Sequence, residues 1–229
     1  MLLLDSKDRA VRVKPCPFVF GSGLPEDRYA ELAAAFPAYD DQRSYAAEFM
    51  DDHALPKVWR DFWEEHFSPA FVRRVIDFWR LHLAKRRLSV LSRDPEKSFI
   101  RGCGEGDFEI NGQFVSRAVD DKKSVKGMAA HLDEARSVVI FLWYFRHPAD
   151  KSQGGDFYLA KAKSPVPAGP GRVRVEECEI QEVIPYAVNQ CVMVLNGRDA
   201  VHGVTPRRKA DLVHPRRNVN LTIELPVNP

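Results

Sequence analysis

The chain is poor in cysteine, with four in 229 residues, and Cys16, Cys103, Cys178 and Cys191 stand far apart without a CxxC pair. That excludes a zinc ribbon and a disulfide-framed small fold, and predicts buried free thiols in a reducing cytoplasm. Charge of one sign is also missing: 34 Lys+Arg against 32 Asp+Glu leave a formal +2, too little for a nucleic-acid or anionic-membrane field. No apolar run approaches a membrane span. Leu2-Leu3-Leu4 is followed at once by Asp5, Lys7, Asp8 and Arg9, too short an apolar stretch for a signal peptide. Internal repeats and low-complexity tracts are absent as well. What remains is enough for one packed domain, 1–229, and too little for two ordinary ones.

The texture of the sequence changes near residue 98. Before it, helical spacing dominates. Pro25 opens Glu26–Phe36, with Tyr29, Leu32, Ala33 and Phe36 on one face. Lys57–Phe67 carries Val58, Trp59, Phe62, Trp63 and His66, and Pro69–Leu91 carries Phe71, Val75, Phe78, Trp79, Leu81 and Leu83. The basic residues between Arg73 and Arg87 fall mostly elsewhere on that helix, as a solvated face or a dock for an anion. From residue 99 onward the pattern is β. Asp107–Ile110 and Gln113–Ala118 around Asn111-Gly112 read as a hairpin with a type I′ turn. Ser137–Phe145 is apolar throughout, as a strand buried on both faces would be. Shorter strands are expected at Gly155–Ala160, Val173–Glu177, Glu182–Ile184, Cys191–Leu195, His202–Thr205 and Asn218–Leu225, with a loop at Lys161–Gly171. Helices gathered in 1–98 and short strands in 99–229 predict an α+β, mainly β chain: an antiparallel sandwich or barrel buttressed by helices.

The chemistry starts at His131-Leu132-Asp133, the one His-x-Asp in the chain. Residues two apart on an extended segment project to the same side, so an imidazole and a carboxylate converge. Alone, such a pair is also an ordinary surface feature. A second imidazole, His202, stands beside a strand in Asp199-Ala-Val-His-Gly-Val. Two imidazoles and one carboxylate make the facial triad of a non-haem Fe(II) site and leave coordination positions open, whereas structural zinc is closed by four ligands. Further on, Arg216, Asn218, Asn220 and Thr222 share one face of a strand, and Arg217, Val219, Leu221 and Ile223 the other. With the apolar set against the helices, Arg216 points into the barrel and needs an anion, which a dicarboxylate cosubstrate supplies. The alternatives are a solvated basic edge, or Arg217 in that role if the register slips by one.

The order His131-x-Asp133, Gly154-Gly155-Asp156-Phe157, His202-Gly203-Val204, Arg216-x-Asn218 resembles the Fe(II)/2-oxoglutarate-dependent dioxygenases, in particular their prolyl-4-hydroxylase-like branch. The resemblance covers roughly 105–225, with the histidines about seventy residues apart, and extends loosely to Pro17-Phe-Val-Phe and Leu24-Pro25. It implies a double-stranded β-helix, or jelly roll, with the N-terminal helices on the outer face of one sheet. It also implies an enzyme that uses Fe(II), 2-oxoglutarate and O2, with ascorbate as a stimulant, to hydroxylate an unactivated C–H bond and release succinate and CO2. His131, Asp133 and His202 would hold the iron, and Arg216, with Tyr144 and Asn218, the cosubstrate. Tyr144 reads equally as a core aromatic. Asn218 departs from the Ser or Thr of many relatives and is closer to the nucleic-acid demethylase branch. Asp133 favours hydroxylation over halogenation, since halogenating relatives carry a small residue there.

The expected substrate is a small molecule or a peptidyl side chain, contacted by Arg117, Arg136 and Trp143, with Phe114 and the loop Asp120-Asp121-Lys122-Lys123 as further candidates; the alternative is a plain surface role for the charged residues and a core role for Phe114 and Trp143. Two rival functions stand beside this one: a nucleic-acid demethylase, suggested by Arg216-x-Asn218 and the basic run at 73–87 but opposed by the near-zero net charge, and a jelly-roll binding module without catalysis. No membrane association is expected. His53, His66, His82, His147 and His214 are assigned ordinary packing or surface roles.

Overall fold

The computed structural model describes residues 2–5, 10–37, 44–45, 54–117, 124–125, 127–164, 166, 172–208 and 214–227. Four helices are found among them: α1 (Leu2–Asp5), α2 (Glu26–Ala34), α3 (Lys57–His66) and α4 (Pro69–Arg86). Proline sets the start of three. Pro25 and Pro56 precede α2 and α3, and Pro69 occupies the first turn of α4, where its missing N–H costs nothing. Ser68 caps α4 by accepting from the Phe71 N–H at 3.2 Å. The long third helix predicted from spacing stops at Arg86, and a 3₁₀ turn follows at Leu88–Val90.

The strands are β1 (Phe18–Ser22), β2 (Ser44–Tyr45), β3 (Ser98–Ile100), β4 (Phe108–Arg117), β5 (Ser124–Val125), β6 (Met128–His131) and β7 (Ser137–Phe145). After them come β8 (Phe157–Ala162), β9 (Arg172–Val173), β10 (Cys178–Ile184), β11 (Val188–Leu195), β12 (Val201–Val204), β13 (Arg207–Arg208) and β14 (Arg216–Glu224). The larger sheet runs β1-β11-β7-β14-β4-β2, with β3 parallel to β4 and every other pair antiparallel. The smaller runs β10-β8-β12-β6-β9, antiparallel throughout. The architecture is α+β and mainly β. From β6 to β8, and again from β10 to β12, the chain crosses from the smaller sheet to the larger and back.

Alternation along the larger sheet builds two interiors. On one face Phe114, Phe141, Trp143, Val219, Leu221 and Ile223 pack against Leu32, Trp59, Phe62, Trp63, Val75 and Trp79 of the helices. On the other, Ile140, Leu142, Tyr144, Val192 and Val194 meet Phe157 and Leu159 of β8. Each fully buried aliphatic or aromatic chain contributes about 1.5–3 kcal/mol of transfer free energy, so the helices are part of the sheet's stability.

The hairpin expected at Asn111-Gly112 does not form. β4 runs straight through it, pairing residue by residue with β14 from Arg117↔Arg216 to Glu109↔Glu224. The glycine serves packing, because a Cβ there would lie 2.6 Å from the Trp63 ring and 2.8 Å from Phe67. Val173–Glu177 also differs, as a two-residue strand followed by a 3₁₀ turn at Val175–Glu177. Cys16, Cys178 and Cys191 are buried thiols, and burial pushes Cys16 up to about 12; Cys103 is exposed, against expectation. No helix among the described residues is long and apolar enough to cross a membrane.

Candidate metal centre

His131 closes β6 and pairs across the ladder with His202 of β12, their ring centroids 4.3 Å apart. Asp133 lies just past the end of β6, where the two-residue offset returns its side chain to the same side. Its Oδ1 is 3.6 Å from His131 Nε2, and its Oδ2 is 3.7 Å from His202 Nε2. One donor atom from each of the three falls within 4.8 Å of the others. Each ring is turned by its other nitrogen: His131 Nδ1 lies 3.0 Å from Ala129 O and His202 Nδ1 2.8 Å from Ala200 O. A carbonyl only accepts, so Nδ1 carries the proton and Nε2 presents a lone pair to the centre. Burial, and then the neighbouring His202, hold His131 below the ordinary imidazole value, which keeps the ring in its neutral, ligating form. His202 is 6% exposed.

The strand after Asp133 is clamped from two sides. Arg87, just beyond α4, donates to Ser137 O at 2.6 Å and Ala135 O at 2.9 Å. Asn196 Nδ2 donates to Glu134 O at 3.0 Å and Ser137 O at 3.1 Å. Both residues fix the turn that follows Asp133, and neither was singled out from sequence, where Arg87 belonged to a basic run and Asn196 to a turn.

The triad opens into a cavity of about 720 Å³ between the sheets, and Arg216 lines it farther along. Arg216 is 4% exposed. Its Nε donates to Gly155 O at 3.1 Å and its Nη1 donates to Asn218 Oδ1, while Nη2 is buried with no partner among the described residues. Tyr144, paired with Asn218 across the ladder, has its ring 5.0 Å from the guanidinium carbon; it is fully buried and is not among the residues that line the cavity. Burial raises its hydroxyl to about 12, against the pull of the guanidinium beside it. Gly154 and Gly155, at φ +80° and +77°, let the chain pass here; a Cβ on Gly155 would meet Arg207 Cγ at 2.8 Å. Asp156 is structural, its Oδ1 accepting from the Tyr186 N–H at 2.8 Å. Tyr186 in turn accepts the Arg217 N–H at 3.0 Å and lies 5.2 Å from the Arg216 guanidinium, which sets the start of β14. The fallback register does not occur: Arg217 points to the other face, 5.3 Å from the Phe36 ring.

The proposed substrate contacts divide. Arg117 lines the cavity. Trp143 and Phe114 do not, because their positions on β7 and β4 turn them to the helices, where Trp143 meets Phe62, His66 and Phe141. Arg136 is not among the residues that line the cavity and binds Glu109, Glu134 and Glu224. Asp120-Asp121-Lys122-Lys123 and His53 lie outside the described residues. Missed from sequence were Arg101, which lines the cavity and binds Glu109 and Glu224, and Arg207, a buried guanidinium held by Asp150 and Ser152. Composition gives no signal for partners that far apart in sequence.

The whole chain superposes on a prolyl-4-hydroxylase from Pseudomonas putida with TM-score 0.51 and 14% identity, covering 100% of this chain and 92% of that one. This chain has the prolyl-4-hydroxylase fold. A second similar structure, IDO from Bacillus thuringiensis, gives TM-score 0.53 at 15% identity over 92% of this chain and 93% of that one. No protein-family model and no curated protein sequence matches the chain.

Proposed function

We propose that this chain is an Fe(II)- and 2-oxoglutarate-dependent hydroxylase of the prolyl-4-hydroxylase-like branch, built as one jelly-roll domain with residues 1–98 as its helical buttress. One observation carries the reading: three donor atoms within 4.8 Å share a cavity with the buried guanidinium of Arg216. Two neutral imidazoles and a carboxylate suit Fe(II) and leave coordination positions open. A buried guanidinium that lines the cavity is the natural seat of a carboxylate, and Tyr144, packed against that guanidinium, helps to hold it in place. Bound together, Fe(II) and 2-oxoglutarate supply the O2-dependent oxidation of an unactivated C–H bond, with succinate and CO2 as products. The protein's part is placement. His131, Asp133 and His202 hold the metal, Arg87 and Asn196 hold the turn that follows Asp133, and Arg216 orients the distal carboxylate. Ile140, Leu142 and Phe157 give the cavity an apolar wall.

The demethylase alternative draws nothing from the basic helix, where Arg73, Arg74, Arg80 and Arg86 pair with Glu96, Asp5, Asp77 and Asp199. Buried thiols fit work in the cytoplasm. Adding Fe(II) and 2-oxoglutarate without oxygen should produce a visible charge-transfer band, and His131→Ala or His202→Ala should abolish it. An unchanged band in either variant would overturn the ligand assignment.

A further inference from the structure

The cavity is far larger than a five-carbon diacid fills, and its size falls in the range that takes a whole small ligand. With the diacid between the triad and Arg216, the other end is left for the substrate. Its floor can be read off the ladder. Going from Arg216 toward Glu224, β4 and β14 place Gln113 opposite Asn220 and then Asn111 opposite Thr222. On the far side of β14, Leu142 is opposite Asn220 and Ile140 opposite Thr222. The floor is thus amide and hydroxyl along one edge and aliphatic along the other.

Most of these polar groups are already occupied. Asn220 Oδ1 accepts from Asn218 Nδ2 at 2.6 Å, and Thr222 donates to Glu224 at 2.9 Å. The charges at this end are closed on themselves. Glu224 accepts from Arg101, from Arg136 at 2.7 Å and from Ser137 at 3.3 Å, and Glu109 accepts from Arg101 and from Arg136 at 3.2 Å. Asn111 is different. It lines the cavity at 5% exposure, and its Oδ1 is buried with no partner among the described residues. A buried amide left unmet is more costly than a bond made is favourable, so this position calls for a ligand group. A half-turn of the side chain exchanges Oδ1 and Nδ2, so Asn111 can offer acceptor or donor to the cavity. Gln113, half-buried two residues along on the same face, widens the same surface.

We propose that Asn111 and Gln113 form the substrate's recognition edge, and that the substrate presents to them a neutral group with both donor and acceptor, of which a carboxamide is the simplest, with its hydrocarbon against Ile140 and Leu142. The inference rests on the oxygenase reading for the placement of the diacid. Charge recognition is disfavoured at this end, because each carboxylate there already holds its arginines.

The test uses the full chain with Fe(II) and 2-oxoglutarate under anaerobic conditions and four probes of one length: pentanamide, N,N-dimethylpentanamide, pentanoate and pentylamine. Calorimetry gives each affinity, and the charge-transfer band reports the cosubstrate independently. Pentanamide should bind at least about tenfold more tightly than the other three, the difference of one well-made hydrogen bond. Asn111→Leu and Gln113→Leu should each remove about tenfold of that affinity and leave the 2-oxoglutarate titration of the band unmoved. Gln113 is only half-buried, so its variant guards against a folding defect in the first. Pentanamide binding no better than a charged probe, no binding by any of the four, or leucine variants with parental affinity would each overturn the proposal. A parent protein that shows no band at all would instead overturn the oxygenase reading beneath it.

Discussion

The two faces of β14 are one residue apart in sequence and opposite in purpose. Val219, Leu221 and Ile223 join a dry interior of four tryptophans and several phenylalanines beneath the helices. Arg216, Asn218, Asn220, Thr222 and Glu224 pave a polar cavity between the sheets. The helix side has nearly all its contacts made by apolar surface, and the indole nitrogens of Trp59, Trp79 and Trp143 have no hydrogen bond among the described residues. The cavity side keeps guanidinium and amide atoms without partners among the described residues, at a cost in stability that a ligand would offset. The contrast teaches that stability is stored on one face of the sheet and binding potential on the other, with the backbone between them shared.

The largest expected effect comes from the stability face. Trp63→Ala should destabilise the fold by roughly 3–5 kcal/mol, read as a shift in the denaturant midpoint, because its ring packs on Phe62, Phe67 and Phe114 and fills the space Gly112 leaves. At low temperature the surviving folded fraction should still bind 2-oxoglutarate normally; a specific loss of binding would erase the division between faces.

The same face should respond to acid. His66 is fully buried against Phe62, Phe71 and Trp143, and burial lowers it from 6.5 to about 4. With the folded value below the unfolded one, the unfolded chain takes up the proton first. His66 therefore adds full stability above pH 6.5 and loses it as pH falls toward 4, on the order of 3 kcal/mol in all. His66→Phe should flatten the fall in midpoint between those pH values, and an unchanged slope would assign the acid sensitivity elsewhere.

On the cavity face, Arg216→Ala should weaken 2-oxoglutarate about a hundredfold, close to 3 kcal/mol, whereas Arg217→Ala should change it less than about threefold. The reverse result would mean the opposite strand register in solution. The smallest effect sharpens the role of Tyr144. Tyr144→Phe should cost about tenfold in cosubstrate affinity, because the hydroxyl faces the Arg216 guanidinium and steadies it. An unchanged affinity would make it a plain core aromatic.

Much of this was legible in the linear chain. The period-two pattern from Arg216 to Ile223 placed Arg216 inside, and the His131-x-Asp133 offset put an imidazole and a carboxylate on one side, because both depend only on strand geometry. The three main helices announced themselves through prolines at their starts and apolar spacing. Asn111-Gly112 was misleading for a physical reason: a glycine that makes room for Trp63, 49 residues upstream, looks the same as one that makes a turn. For Trp143 the sequence left pocket and core both open, since Ser137–Phe145 is buried along its whole length and gives no alternation to orient it, and the structure places the ring in the core.

The sequence alone therefore determined which side chains could do chemistry and which neighbours they would share a face with, since those follow from local backbone period. Tertiary structure alone decided which distant partners meet: His202 opposite His131, Arg101 and Arg136 on Glu224, Asn196 and Arg87 behind Asp133. Those contacts join segments that only the pairing of whole strands and the docking of helices bring together, so no short stretch of the chain records them.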